Sequence, residues 1–221
     1  TDLEAAQKIA RENKIMAYDP SFQNHEHSIE VQIPFLQYWV KNDFKIVPIL
    51  LGTQDESVCS KIAHILKPWF TDENLFVIST DFSHYPSYND AVKTDKQVAE
   101  AIITNNPVTF LSTVESCSKI KVANLATGCC SWPSVITLMY LTEAMPGISY
   151  KEVLYKNSGD SQYGDRDRVV GYFALRVSQQ MQNTMMLNEA DKEELLKIAR
   201  NTIHAYLNDG RNPEVNPDSI P

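Results

Sequence analysis

The sequence predicts an α/β sandwich in which a mixed, largely parallel sheet is flanked by helices. Short runs that are apolar on both faces, "FKIVPILLG" (44–52) and "LFVIST" (75–80), alternate with amphipathic helix-length segments. That alternation is the pattern of strands buried between helical layers. With 43% hydrophobic residues among 221, the chain is also long enough for one sizeable core.

The first element is helical: in "LEAAQKIARENK", Leu3, Ala6, Ile9 and Ala10 fall on one helical face. Residues 28–40 carry Ile29, Ile33, Leu36 and Val40 at helical spacing, with Pro34 early, where a missing N–H is tolerated best. The run 44–52 is a buried strand closed by Gly52. "VCSKIAHILKPWF" is a helix with Val58, Ile62, Ile65 and Leu66 inward, and 75–80 is the second buried strand. Helices are expected at 89–104, at 107–115 and in "SWPSVITLMYLTEAM", and the last strands, "SYKEVLYKN" and "RVVGYFALRV", flank the polar loop "SGDSQYGDRD". After Val177 the polar text of 178–186 reads as a linker. A long helix comes next, with Leu187, Leu195, Ile198, Ile203 and Leu207 among charges, Asn188 as N-cap, Glu189 and Asp191 in its first turn, and Gly210 as its stop. The expected organisation is a domain over 1–177, a linker over 178–186 and a further segment over 187–221. Because Thr1 opens directly into helical text, the chain is expected to begin inside a larger protein and to leave a sheet edge open.

A balance of 28 acidic against 20 basic residues, net −8, with no cluster of Lys and Arg, argues against nucleic acid as a partner. No apolar stretch reaches the roughly 20 residues a spanning helix needs, so the expectation is a cytoplasmic protein with no membrane partner. Cys59, Cys117, Cys129 and Cys130 show neither zinc-ligand spacing nor a disulfide framework.

Residues able to do chemistry gather in four places: His25, Glu26, His27 and Glu30; Asp81, Ser83, His84 and Tyr85; Cys129 and Cys130; and Asp160, Asp165 and Asp167. Histidine beside a carboxylate suits metal ligation or proton transfer, and spacing does not choose between them. Each place has a plainer reading. Asp81 can cap a helix or turn after the strand, His27 and Glu30 can open a helix, the cysteine pair can fill a core, and the last aspartates can shape turns. A thiol at a helix N-terminus can instead be a depressed-pKa ligand or nucleophile. His64 and His204, alone in helical patterns, are assigned no role.

Taken in order, "EHSIEVQIPFL" (26–36), "STDFSHY" (79–85), "CCSWP" (129–133) and "NSGDSQYGDRDRVVGYFA" (157–174) resemble the Memo family, also labelled AmmeMemoRadiSam system protein B. The segment "LNEADKEELLKIARNTIHAYL" resembles the opening helix of an AMMECR-type domain. The resemblance implies a fold similar to class III extradiol dioxygenases and a pocket for iron or copper made from two histidines and a cysteine. Cys129 takes the metal-binding cysteine position, His84 that of the acid–base histidine, and Asp81 stands beside it; His27, Glu30 and Tyr85 are expected to line the pocket. Two departures are visible. The family's "HAGY" and "SHH" histidine motifs do not occur, and Cys130 replaces the usual glycine after the cysteine. Metal binding by this chain is therefore expected to be weak or absent.

The expected function is a metal-dependent redox or dioxygenase-like enzyme acting on an unknown small molecule or peptide, with a radical SAM protein of the same system as a further partner. A non-catalytic peptide- or protein-binding module using the same pocket is the alternative. A third reading makes Cys129 a nucleophile and His84 its base, which requires hydrogen-bond reach between them.

Overall fold

A computed structural model describes residues 1–17, 19, 21, 26–119, 122–180 and 189–210. His25, Leu187, Asn188, the tail after Gly210 and most of the expected linker lie outside the described residues. The chain divides into two compact units, Thr1–Gln180 and Met181–Pro221.

Capping chemistry sets the helix starts in the first unit. Asp2 accepts the Ala5 N–H to open α1 (Leu3–Glu12), and Asp55 accepts the Ser57 N–H to open α3 (Glu56–Leu66). Ser87 accepts the Asp90 N–H to open α4 (Tyr88–Ile103), and α5 (Pro107–Lys119) comes after it. Proline stands in the first turn of α2 (Ile33–Trp39) and α6 (Trp132–Thr142), where its missing N–H costs nothing.

Pro34 corrects the expectation of a helix over 28–40. It starts α2 rather than sitting inside a longer helix, and residues 28–32 form turns, with Val31 N–H donating to His27 O and Ile33 N–H to Glu30 O. His27 is consequently no N-cap.

The strands β1 (Ile148–Asn157) and β2 (Gly171–Gln179) pair antiparallel, from Ile148 with Gln179 to Asn157 with Gly171, with an irregularity near Val153. On β2, Phe173, Leu175 and Val177 turn toward the core while Tyr172, Ala174 and Arg176 are exposed, the period of two expected of a strand covered on one face. Because β2 runs to Gln179, the expected linker begins later than residue 178.

This is a mixed α/β structure, and its one ladder among the described residues is antiparallel. The runs 44–52 and 75–80 belong to no ladder. Apolar β-rich text shows that a segment seeks cover, but a strand also needs a neighbour to take its N–H and C=O groups. Val47, Ile49, Leu51 and Phe76 instead pack part-buried against Ile9, Ile62, Ala63, Leu66 and Leu141.

The main core lies where α4, α5 and α6 meet one another and the hairpin, around Phe82, Val98, Ile102, Phe110, Ile136, Met139 and Tyr150. No helix among the described residues is long and apolar enough to cross a membrane. In the second unit, α7 (Glu189–Asp209) carries Glu189 and Asp191 in its first turn and ends at Gly210, whose φ of +62° and N–H bond to Tyr206 O make the expected stop.

Candidate functional site

The segment 81–86 is held on both flanks by backbone hydrogen bonds. On one side Phe82 N–H donates to Gly171 O (2.9 Å), Gly171 N–H to Ser83 O (2.9 Å) and Tyr85 N–H to Val169 O (2.7 Å). On the other, His84 N–H donates to Thr127 O (3.0 Å), Ala126 N–H to His84 O (3.0 Å) and Cys130 N–H to Asp81 O (3.0 Å). Strand-like pairing thus falls on the motif itself, through His84 bridges to Thr127 and Val170, rather than on the apolar run before it.

On this frame His84 Nε2 lies 3.2 Å from Asp81 Oδ2. The contact needs one donor and one acceptor, and an ionised carboxylate at Asp81 would take its hydrogen bond from Nε2–H. The His84 side chain is one-fifth exposed and that of Asp81 almost half, so the pair faces the surface from a shallow, partly dry position. The two residues expected as acid–base partners are therefore brought together.

Cys129 is fully buried, and its thiol makes a hydrogen-bond contact with Thr80 Oγ1, 3.8 Å from Sγ. Burial pushes its thiol up to about 12. This is opposite in direction to the helix-N-terminus expectation, because removal from water disfavours a thiolate more than nearby amides favour it. No hydrogen bond joins Cys129 to His84 among the described residues, so the reach that the nucleophile reading requires is not met in this structure. The exposed thiol is that of Cys130, raised by partial burial and then by the negative charges of Asp81 and Glu26. Tyr172 also neighbours this cluster: burial first, and then the Asp81 charge, raise its phenol.

Tyr85, next to His84 in the chain, has a φ of +75°, left-handed for a bulky residue, which costs about 1–3 kcal/mol and persists only where the surroundings impose it. Its ring centroid lies 5.5 Å from that of His84, and the Arg168 guanidinium stands 4.1 Å over it. Tyr85, Arg168 and Asn124 line an open cleft of about 480 Å³. His27 and Glu30 pair with each other at 2.5 Å, with side chains 75% and 64% exposed, and no hydrogen bond or ion pair joins them to His84. Asp160 reciprocally caps with Asn157, and Asp165 accepts the Asp167 N–H, so both shape the loop.

Sequence reasoning missed Asp95. This carboxylate is fully buried on α4, accepting the Ser83 N–H at 2.8 Å and the Tyr155 hydroxyl at 2.8 Å. The signal was present: residues 91, 95, 98 and 102 form one buried helical stripe, and an aspartate on it is out of place unless it is bonded.

The donors present can be tested against the metal that the resemblance implies. Among the described residues no three His, Cys, Asp or Glu side chains come together around one point. Cys129 offers a single enclosed thiol that resists ionisation, whereas a tightly held metal takes three or more protein ligands. These residues do not by themselves fit an iron or copper centre.

A family model described as "Memo-like protein" matches residues 1–176. The chain belongs to the Memo-like family. It is 31% identical over 179 residues to a "MEMO1 family protein" of Methanosarcina mazei, covering 80% of this chain and 63% of that protein. A "MEMO1 family protein" of Thermoplasma acidophilum is 33% identical over 170 residues, covering 77% and 59%, and one of Archaeoglobus fulgidus is 35% identical over 164 residues, covering 73% and 58%. The chain thus spans about three-fifths of the length of these Memo-like relatives.

Proposed function

We propose that the Memo-like unit supplies the acid–base side of an enzyme active site, with His84 moving a proton and Asp81 fixing its tautomer. His84 Nδ1 takes a proton from a substrate, Asp81 stabilises the resulting imidazolium, and the same nitrogen returns the proton to product. The observation that carries this reading is the 3.2 Å Nε2–Oδ2 bond on a segment held from both flanks. The metal-dependent redox or dioxygenase-like chemistry that the resemblance implies would need donors beyond those gathered here, and no step of this proposal runs through iron or copper. The largely parallel sheet and the likeness to extradiol dioxygenases belong to the same proposal. They rest on the resemblance and on the apolar text of 44–52 and 75–80. The reading of 187–221 as the opening of an AMMECR-type domain is supported by its separation as a second compact unit.

The test is proton exchange. The protein is incubated in D2O with a panel of small carbonyl and phenolic compounds, and mass spectrometry tracks C–H exchange. Exchange that is lost in His84→Gln supports the reading; exchange of equal rate in both proteins contradicts it.

One observation favours the alternative of a binding module. Arg168, stacked on Tyr85 at the rim of the cleft, makes no ion pair among the described residues and is suited to an anionic group on a peptide or small molecule. Ligand binding that survives His84→Gln, with no exchange by either protein, would favour it.

A further inference from the structure

Asp95 lies on the third turn of α4, with its carboxylate completely enclosed. A buried carboxylate is costly unless its oxygens are bonded, and those of Asp95 are directed to two different elements. Oδ1 accepts the backbone N–H of Ser83, the residue before His84; Oδ2 accepts the Tyr155 hydroxyl from β1, and Asn157 Nδ2 donates to that same hydroxyl at 3.3 Å. Gly171, which bonds Ser83 O and Phe82 N–H, fits only because it has no side chain: a Cβ there would stand 1.8 Å from Oδ2. The carboxylate is therefore wedged among α4, the hairpin and the His84 segment, with its single backbone bond spent on that segment.

We propose that Asp95 is a positioning residue for His84: by holding the Ser83 N–H from beneath, it sets the backbone from which the imidazole reaches Asp81. The proposal rests on the proton-transfer reading of His84 and extends it to a group that touches neither substrate nor imidazole. The charge of Asp95 is a secondary influence, and the geometry requires only an acceptor at Oδ1.

Two near-isosteric variants separate these demands. Asp95→Asn keeps an acceptor for Ser83 N–H and removes the charge; Asp95→Leu keeps the branched shape and removes the acceptor. Two readouts are taken on each: hydrogen exchange of the Ser83 amide, and the 15N shifts of the His84 ring, which report its tautomer. The expected result is that Asp95→Asn retains both parent signatures. Asp95→Leu speeds Ser83 exchange roughly tenfold or more and averages the His84 tautomers. A parent-like His84 pattern in folded Asp95→Leu would overturn the proposal. So would an altered pattern in Asp95→Asn, which keeps this informative if Asp95→Leu fails to fold. Asp81→Asn is read in parallel. If it leaves the His84 tautomer unchanged, the acid–base reading fails, while Ser83 exchange still reports whether Asp95 holds the segment.

Discussion

Gly171 and Asp95 approach so closely that residue 171 has no room for a side chain, since a Cβ would meet Asp95 Oδ2 at 1.8 Å and its Cγ at 2.6 Å. Gly171→Ala must displace either the carboxylate or the start of β2, and overpacking of this kind costs about 3 kcal/mol. Urea unfolding measures it. Asp95→Ser, which shortens the intruding side chain, should recover part of that loss in the double variant, giving a coupling of about 1 kcal/mol or more. Additive losses would mean that the two positions do not meet.

Asp95 also predicts a pH dependence. Burial, the largest influence, holds its carboxyl above the ordinary carboxylate value, against the lowering effect of Tyr155, Ser83 and the neighbouring His84. The folded state therefore binds the proton more tightly than the unfolded chain. Its contribution is fully present below the ordinary carboxylate value and is lost as pH rises through the higher folded value. Tyr155, Cys117 and Cys129, which also sense the Asp95 charge, have their own ionisation shifted upward and stay neutral across this window. Asp95→Asn should gain stability relative to the parent on going from pH 4 to pH 7. Parallel stability curves across that range would contradict the direction.

The two adjacent thiols should differ sharply in reactivity. Cys129, enclosed and pushed up to about 12, is about one part in ten thousand thiolate at pH 8. Cys130 is exposed, although raised by its surroundings, and should be the first site alkylated by iodoacetamide in the native protein. Peptide mapping after brief labelling checks the order. Modification of Cys129 before Cys130 would mean that the buried side of this pair has been assigned wrongly.

Much of the helical layer was legible in the sequence because caps and apolar periodicity are local signals. Asp55 and Ser87 cap where the text changes from polar to periodic, and the stripes around Ile62 and Val98 point inward. Strand partners were not legible. The run 75–80 is apolar enough for a strand, yet the bonds that organise the region fall on Phe82, His84 and Tyr85, whose partners lie more than 40 residues away. For the candidate site, the Asp81–His84 pair was suggested by the family resemblance rather than by its spacing of three, which fits a polar turn equally well. The contrast between Cys129 and Cys130 was not legible, since only the surrounding fold decides which of two neighbouring side chains is enclosed. Asp95 was hidden for the opposite reason, because an aspartate in a helix reads as a solvated face until its apolar stripe is counted.

Whether Asp81 fixes the tautomer of His84 is decided by the 15N spectrum of the His84 ring, compared between the parent and Asp81→Asn at a pH where the ring is neutral. Selective labelling and a His84→Gln control assign the resonances among the five histidines. The expected spectrum shows a protonated Nε2 and an unprotonated Nδ1 in the parent, with that preference lost in Asp81→Asn. A ring protonated at Nδ1, or a preference indifferent to Asp81, would leave His84 without the orienting partner on which its proton transfer depends.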